Sequence, residues 1–81
     1  MILAVIQDQG INAFGNPYVF RNDADAVRTF VNEIRKDDGS ILSVNHSDFV
    51  LVRVGSYDDA TGVVTGESTV VLCHGKDVSK S

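Results

Sequence analysis

The 81 residues leave room for one domain, and a chain this short buries only about 60 to 65% of the surface it exposes when unfolded, which excludes a two-domain enzyme with a deep cleft. Hydrophobic residues at 43%, charged residues at 22% and a single proline describe a globular chain, far from disordered or collagenous compositions. Seven Lys and Arg against eleven Asp and Glu give a formal charge of -4, which excludes a surface that attracts polyanions everywhere, so any nucleic-acid site must be local.

Residues 2 to 8 are β-prone and apolar at both parities up to Ile6, the pattern of a strand covered on both faces or lying centrally in a small sheet. The run Met1 to Ile6 is far short of the roughly 20 residues that span a bilayer, and no basic segment or small-residue cleavage site accompanies it, so neither membrane anchor nor signal peptide is expected. Gly10 to Pro17 carries two glycines, two asparagines and the proline, and reads as a loop holding one exposed or half-exposed aromatic, Phe14. Tyr18 to Phe20 then reads as a short extended segment, because Pro17 disfavours a helix through it.

A helix is predicted from about Asp23 to Lys36. Asn22 is a suitable N-cap, Asp23 and Asp25 place negative charge in the first turn, and Arg35 and Lys36 sit at the opposite end of the dipole. Ala26, Val27, Phe30, Val31 and Ile34 mark its buried face, and Gly39 is the residue expected to take a left-handed conformation after it. Ile41 to Ser47 reads as either a short helical turn or an irregular crossover. Phe49 to Tyr57 is the strongest strand, with Val50, Val52 and Val54 on one face and Phe49, Leu51, Arg53 and Tyr57 on the other; the valine face is expected to meet the helix. Asp58 to Gly62 has hairpin composition, with Gly62 supplying positive φ. Val63 to Thr65 and Thr69 to His74 return as a strand broken at Gly66 to Ser68 by a bulge or second turn. Residues 1–75 are read as one domain, with 76–81 a flexible polar tail.

The order β-(β)-α-β-β indicates an α+β domain, one helix packed on a small, mainly antiparallel sheet of three to four strands. A single helix covers one sheet face. The other, expected to carry Phe49 and Leu51, calls for a second protomer, so a homo-oligomer, dimer or larger, is expected.

Residues that could carry chemistry are few. Cys73, the only cysteine, cannot form an internal disulfide and suits a reducing compartment. On a strand Cys73 and His74 point to opposite faces, and His46 is the only other histidine, so a thiolate-imidazole pair is not expected. The three also lack the number and spacing of a structural zinc site. Asp58-Asp59 leads straight into Ala60-Thr61-Gly62 and reads as turn chemistry, and no glycine spacing forms a phosphate-binding loop. Neither enzymatic activity nor a cofactor nor a metal is expected. Arg21, Arg28 and Arg35 are spaced by seven, which puts the latter two on one side of the helix, beside its apolar face, with Lys36 adjacent. Single-stranded nucleic acid is held by such charges together with aromatic platforms, for which Phe14, Tyr18, Phe20 and Tyr57 are candidates; Asp23, Asp25 and Glu33 oppose the stripe locally.

Asp8, Ala13-Phe14, Pro17-Tyr18, the helix Ala24 to Phe30, and above all the block Ser47 to Gly62, with its hairpin pattern DF.L.R.GS.DDATG, form a recognisable set. From about residue 5 to residue 64 the chain resembles the small nonstructural protein of gokushoviruses, single-stranded DNA phages of the Microviridae. The resemblance carries no catalytic motif. It implies a phage accessory protein, outside the capsid, acting in single-stranded genome synthesis or packaging in the cytoplasm of the infected bacterium. Combined with the residue pattern, it leads to an oligomer in which Arg21, Arg28, Arg35, Lys36 and Arg53 neutralise phosphates while Phe14, Tyr18 or Tyr57 stacks on bases. The alternative is a non-enzymatic adaptor that binds a phage replication, procapsid or host protein through a sheet edge or face.

Overall fold

The computed structural model describes residues 1–79, leaving Lys80 and Ser81 outside the described residues. Strand β1 (Ile2–Asp8) is central, as its two apolar parities suggest, and pairs antiparallel with β4 (Phe49–Asp58) on one side. Two short strands share its other side: β3 (Tyr18–Phe20) lies against Ile2 to Ala4, and β2 (Ala13–Phe14) against Gln7 and Asp8. Strand β5 (Val63–His74) pairs with β4 and forms the far edge. The sheet therefore has five strands, all antiparallel neighbours, in place of the expected three or four. The extra strand, β2, was hidden in a segment of loop composition, and the Gly15 N–H donating to the Ile6 carbonyl at 2.9 Å holds the connection against β1.

Helix α1 (Asp23–Arg35) begins where its cap residues predict, with the Asn22 side chain accepting from the Asp25 N–H at 2.8 Å. At its end Gly39 takes the left-handed conformation expected of it, and an unforeseen second one precedes it. Asp37, at φ 50°, takes the first left-handed position and Gly39, at φ 79°, the next, because the chain must reverse at once into α2 (Ile41–Val44). Ser40 caps α2, and the buried Ser43 hydroxyl donates to the Ile34 carbonyl at 2.9 Å, fastening this short helix to the last turn of α1. A 3-10 turn, His46–Asp48, leads into β4, so the ambiguous crossover is helical in two short pieces.

The helix packs on the opposite face of β4 from the one expected. Ala26, Phe30 and Ile34 meet Ala4 and Leu51, with Phe49 and Cys73 at the margin, whereas Val50 and Val52 cluster with Val5 and Val54 on the face away from the helix. Strand parity could not decide this, because both faces of β1 and β4 are apolar. Two features settle it physically: Ala4 and Ala26 are both fully buried and let helix and sheet approach closely, and Arg53, which shares a face with Leu51, finds its carboxylate partner Asp23 on α1. The face away from the helix therefore carries valines, of which Val5, Val50 and Val52 are themselves buried, and Phe49 and Leu51 belong to the face under α1. Burying Phe30 alone contributes about 1.5–3 kcal/mol.

The β4–β5 hairpin closes as its sequence predicts: the Asp58 carboxylate accepts from Ala60 N–H at 2.9 Å, Gly62 N–H donates to the Asp58 carbonyl at 2.7 Å, and Gly62 has φ 76°. Gly66 to Ser68 does not end the strand; the register slips between the Arg53/Val70 and Gly55/Gly66 pairs and β5 continues through it as a bulge. Of the stretch read as a flexible polar tail, Lys80 and Ser81 lie outside the described residues, and the part before them is packed. Gly75–Asp77 forms a 3-10 turn and Val78 is buried in the core beneath α1, so apolar burial keeps the chain packed to that point.

Candidate nucleic-acid interface

Arg21, Arg28 and Arg35 lie along one line of α1 and its N-terminal extension, and all three are exposed. With 3.6 residues per turn, Arg28 and Arg35 fall on the side of α1 away from Ala26, Phe30 and Ile34, next to the half-buried Val31 that borders the apolar face. The seven-residue step from Arg28 to Arg35 spans about 10.5 Å along the axis, the length of about three stacked nucleotides.

Asp25 sits within this line. Its two oxygens accept from Arg21 Nε at 2.7 Å and from an Arg28 guanidinium nitrogen, so one carboxylate bridges two of the three arginines. The Arg21 hydrogen bond, reinforced by Arg28, holds the Asp25 carboxyl below the usual carboxylate range and keeps it charged at neutral pH. Arg35 is occupied differently, its Nε donating to the Ser79 carbonyl at 2.8 Å. Lys36 pairs with Glu33 at 2.9 Å, and that partner raises the ammonium pKa. The line therefore offers three guanidiniums against one carboxylate.

Arg53 stands apart. It is 30% exposed, lies on the sheet face under α1, and donates to Asp23 at 2.7 Å with Glu67 at 4.0 Å, so contact with a phosphate would have to displace a carboxylate that ties β4 to the helix. The aromatics are dispersed. Tyr18, 57% exposed, is opposite Ala4 and therefore on the helix side of the sheet, whereas Phe14, 55% exposed, is opposite Gln7 and on the valine side. Tyr57 is half-buried near the hairpin end, facing Val64, its N–H donating to the Met1 carbonyl at 2.9 Å. Phe20 is half-buried and packs against the helix-side core. The structure thus brings together Arg21, Arg28 and Arg35, keeps Tyr18 on their side of the sheet, and separates Arg53, Phe14 and Tyr57 from them.

Beside the helix, Tyr18, Phe20, Phe30 and Leu42 line a groove of about 440 Å³ floored by Ala4 and Ile6, with Glu33 on its wall. This groove was not legible in the sequence, because it forms only where α1 and β3 diverge over β1. His46 is engaged structurally, its Nδ1 at 2.9 Å from the Gly75 carbonyl, and Cys73 packs against the helix-side core, where burial raises its thiol pKa. Among the described residues no helix is long and apolar enough to cross a membrane.

The model of the family described as Phage ORF5 protein matches residues 1–78. The chain belongs to that family. The match covers every strand and helix described above, including the arginine line and the packed C-terminal turn, and marks the chain as a phage protein. No curated protein and no solved structure matches it.

Proposed function

We propose that this phage ORF5 chain is a nonstructural accessory protein of a gokushovirus-like member of the Microviridae, and that it binds single-stranded DNA as an oligomer during genome synthesis or packaging in the host cytoplasm. The observation that carries the reading is the row of three exposed arginines, Arg21 just before α1 and Arg28 and Arg35 along it. Arginines in such a row pair with successive phosphates without reading bases, and Tyr18 on the same side of the sheet adds a stacking surface tolerant of sequence. The formal charge of -4 confines the attraction to this line and favours a modest, strongly salt-dependent affinity.

Fluorescence anisotropy of labelled single-stranded DNA, at low and at physiological salt, tests the proposal. Binding should be tighter to single strands than to duplex, weaken steeply with salt, and be lost in the Arg28→Glu, Arg35→Glu double variant. Absence of binding at low salt, where attraction is strongest, overturns it. A second reading, an adaptor for a phage replication, procapsid or host protein, is favoured by the acidic charge and by the apolar groove beside α1. That complex would keep its affinity as salt rises and survive the arginine reversal.

A further inference from the structure

Building on the single-strand reading above, we infer that the groove between α1 and β3 takes one unstacked base of the strand, an adenine or cytosine whose exocyclic amino group donates to Glu33. Three aromatic side chains, Tyr18, Phe20 and Phe30, converge here over the floor of Ala4 and Ile6. Tyr18 remains exposed, so its ring is open to a flat partner. The volume of about 440 Å³ falls within the roughly 300–1,000 Å³ of small-molecule pockets, which are likewise apolar with a few polar groups.

The polar side chains decide which base. Besides the Tyr18 phenol, those lining the groove are Thr29 and Glu33. The Thr29 hydroxyl donates its proton to the Asp25 carbonyl at 3.0 Å and keeps its lone pairs for accepting. Glu33 Oε1 accepts from Lys36 at 2.9 Å, which leaves Oε2 as the acceptor offered to a ligand. Both side chains thus offer acceptors, and a bound edge must supply a donor. Cytosine N4 and adenine N6 do so, whereas thymine carries the O4 acceptor in that place, which a carboxylate repels. A purely aliphatic occupant would desolvate Glu33 and give it no partner in return. Phosphate partners flank the same site. Residues 25, 29 and 33 follow one another at four-residue spacing and form one ridge of α1. Arg21, directly after Phe20, meets the N-terminal end of this ridge with its Nε 2.7 Å from Asp25, and Lys36 meets the other end at Glu33. Arg21 therefore belongs to both features: a phosphate held there can turn its base into the groove while the strand continues toward Arg28.

Two measurements on the full chain test this. In anisotropy titrations at low salt, oligo(dC) and oligo(dA) should bind at least about 5-fold tighter than oligo(dT). Glu33→Gln, whose amide can donate to O4 as well as accept, should bring the three homopolymers level; the ratio is the readout, since a mere change of net charge moves all three together. Tyr18→Ala, at an exposed position that leaves the circular dichroism spectrum unchanged, should weaken every homopolymer by about 5-fold or more. Amide NMR spectra titrated with dCMP and dAMP should show Thr29 and Glu33 shifting, with TMP leaving them in place. Equal affinity for the three homopolymers, or a preference that persists in Glu33→Gln, overturns the inference while strand binding through the arginine row stands. Groove amides unmoved by every nucleotide overturn it as well and leave the groove to the adaptor reading. Groove amides that move with dCMP and dAMP although no oligonucleotide binds uphold the site for nucleotides and overturn the genome-binding reading instead.

Discussion

Replacing Gly75 by alanine should be among the most damaging single-methyl changes in the chain. A Cβ at this position would stand 1.9 Å from the His46 carbonyl oxygen and 2.7 Å from that of Phe49, both backbone atoms that no rotamer change can move. The 3-10 turn must then lift off the β4 entry. Lifting it breaks the His46 Nδ1 bond to the Gly75 carbonyl, worth about 1 kcal/mol, and draws Val78 out of the core, worth about 2 kcal/mol. The combined loss of about 3 kcal/mol matches the cost expected for forced overpacking and is a large share of the roughly 4–12 kcal/mol that a domain this size commands. At about 4–8 °C per kcal/mol, thermal unfolding followed by far-UV circular dichroism should drop by about 12–24 °C. Gly66→Ala provides the internal control, because nothing lies within 4 Å of its added methyl and its backbone is not left-handed. It should stay within about 0.5 kcal/mol of the parent. If Gly75→Ala melts with Gly66→Ala, the close approach does not constrain the fold and the reasoning fails.

Further expectations concern charge and the thiol. Asp25→Asn removes the carboxylate shared by Arg21 and Arg28; near 0.1 M salt each guanidinium freed for a phosphate should raise single-strand affinity about 5-fold and steepen the log-log salt slope by about 0.7, and an unchanged slope in anisotropy titrations would count against the arginine line. The carboxyls of Asp25, through the Arg21 and Arg28 hydrogen bonds, and of Asp38, through the Ser40 hydrogen bonds, have folded pKa values below 3.8. Their stabilisation is present above that value and is lost as pH falls through the folded pKa, so the urea midpoint should decline below about pH 4; a flat midpoint from pH 6 to pH 3 would show these bonds to be idle. Cys73, with its pKa raised chiefly by burial and further by Asp77, should react with a thiol probe at pH 7.5 far more slowly in the native than in the urea-unfolded chain. Equal rates would place the thiol outside the core.

Residues and their spacing alone determined the local elements of this protein. The Asn22 cap, the acidic first turn and the 3.6-residue apolar period defined α1, and the Asp58 to Gly62 turn chemistry defined the β4–β5 hairpin, because these signals act over four or five neighbouring positions. The seven-residue arginine spacing was likewise local and survived folding. Which sheet face α1 covers was decided by tertiary contact, since Leu51 and Val52 are equally apolar and only the meeting of Ala4 with Ala26 and of Arg53 with Asp23 distinguishes them. The same holds for the candidate site. Sequence proposed five cations and three stacking aromatics as one set, but pairing partners distant in the chain put Phe14 and Tyr18 on opposite faces and tied Arg53 beneath the helix. Burial of Val78 and the two-residue strand β2 were also beyond local reading, because each depends on a surface that exists only after β1 has been assembled between its neighbours.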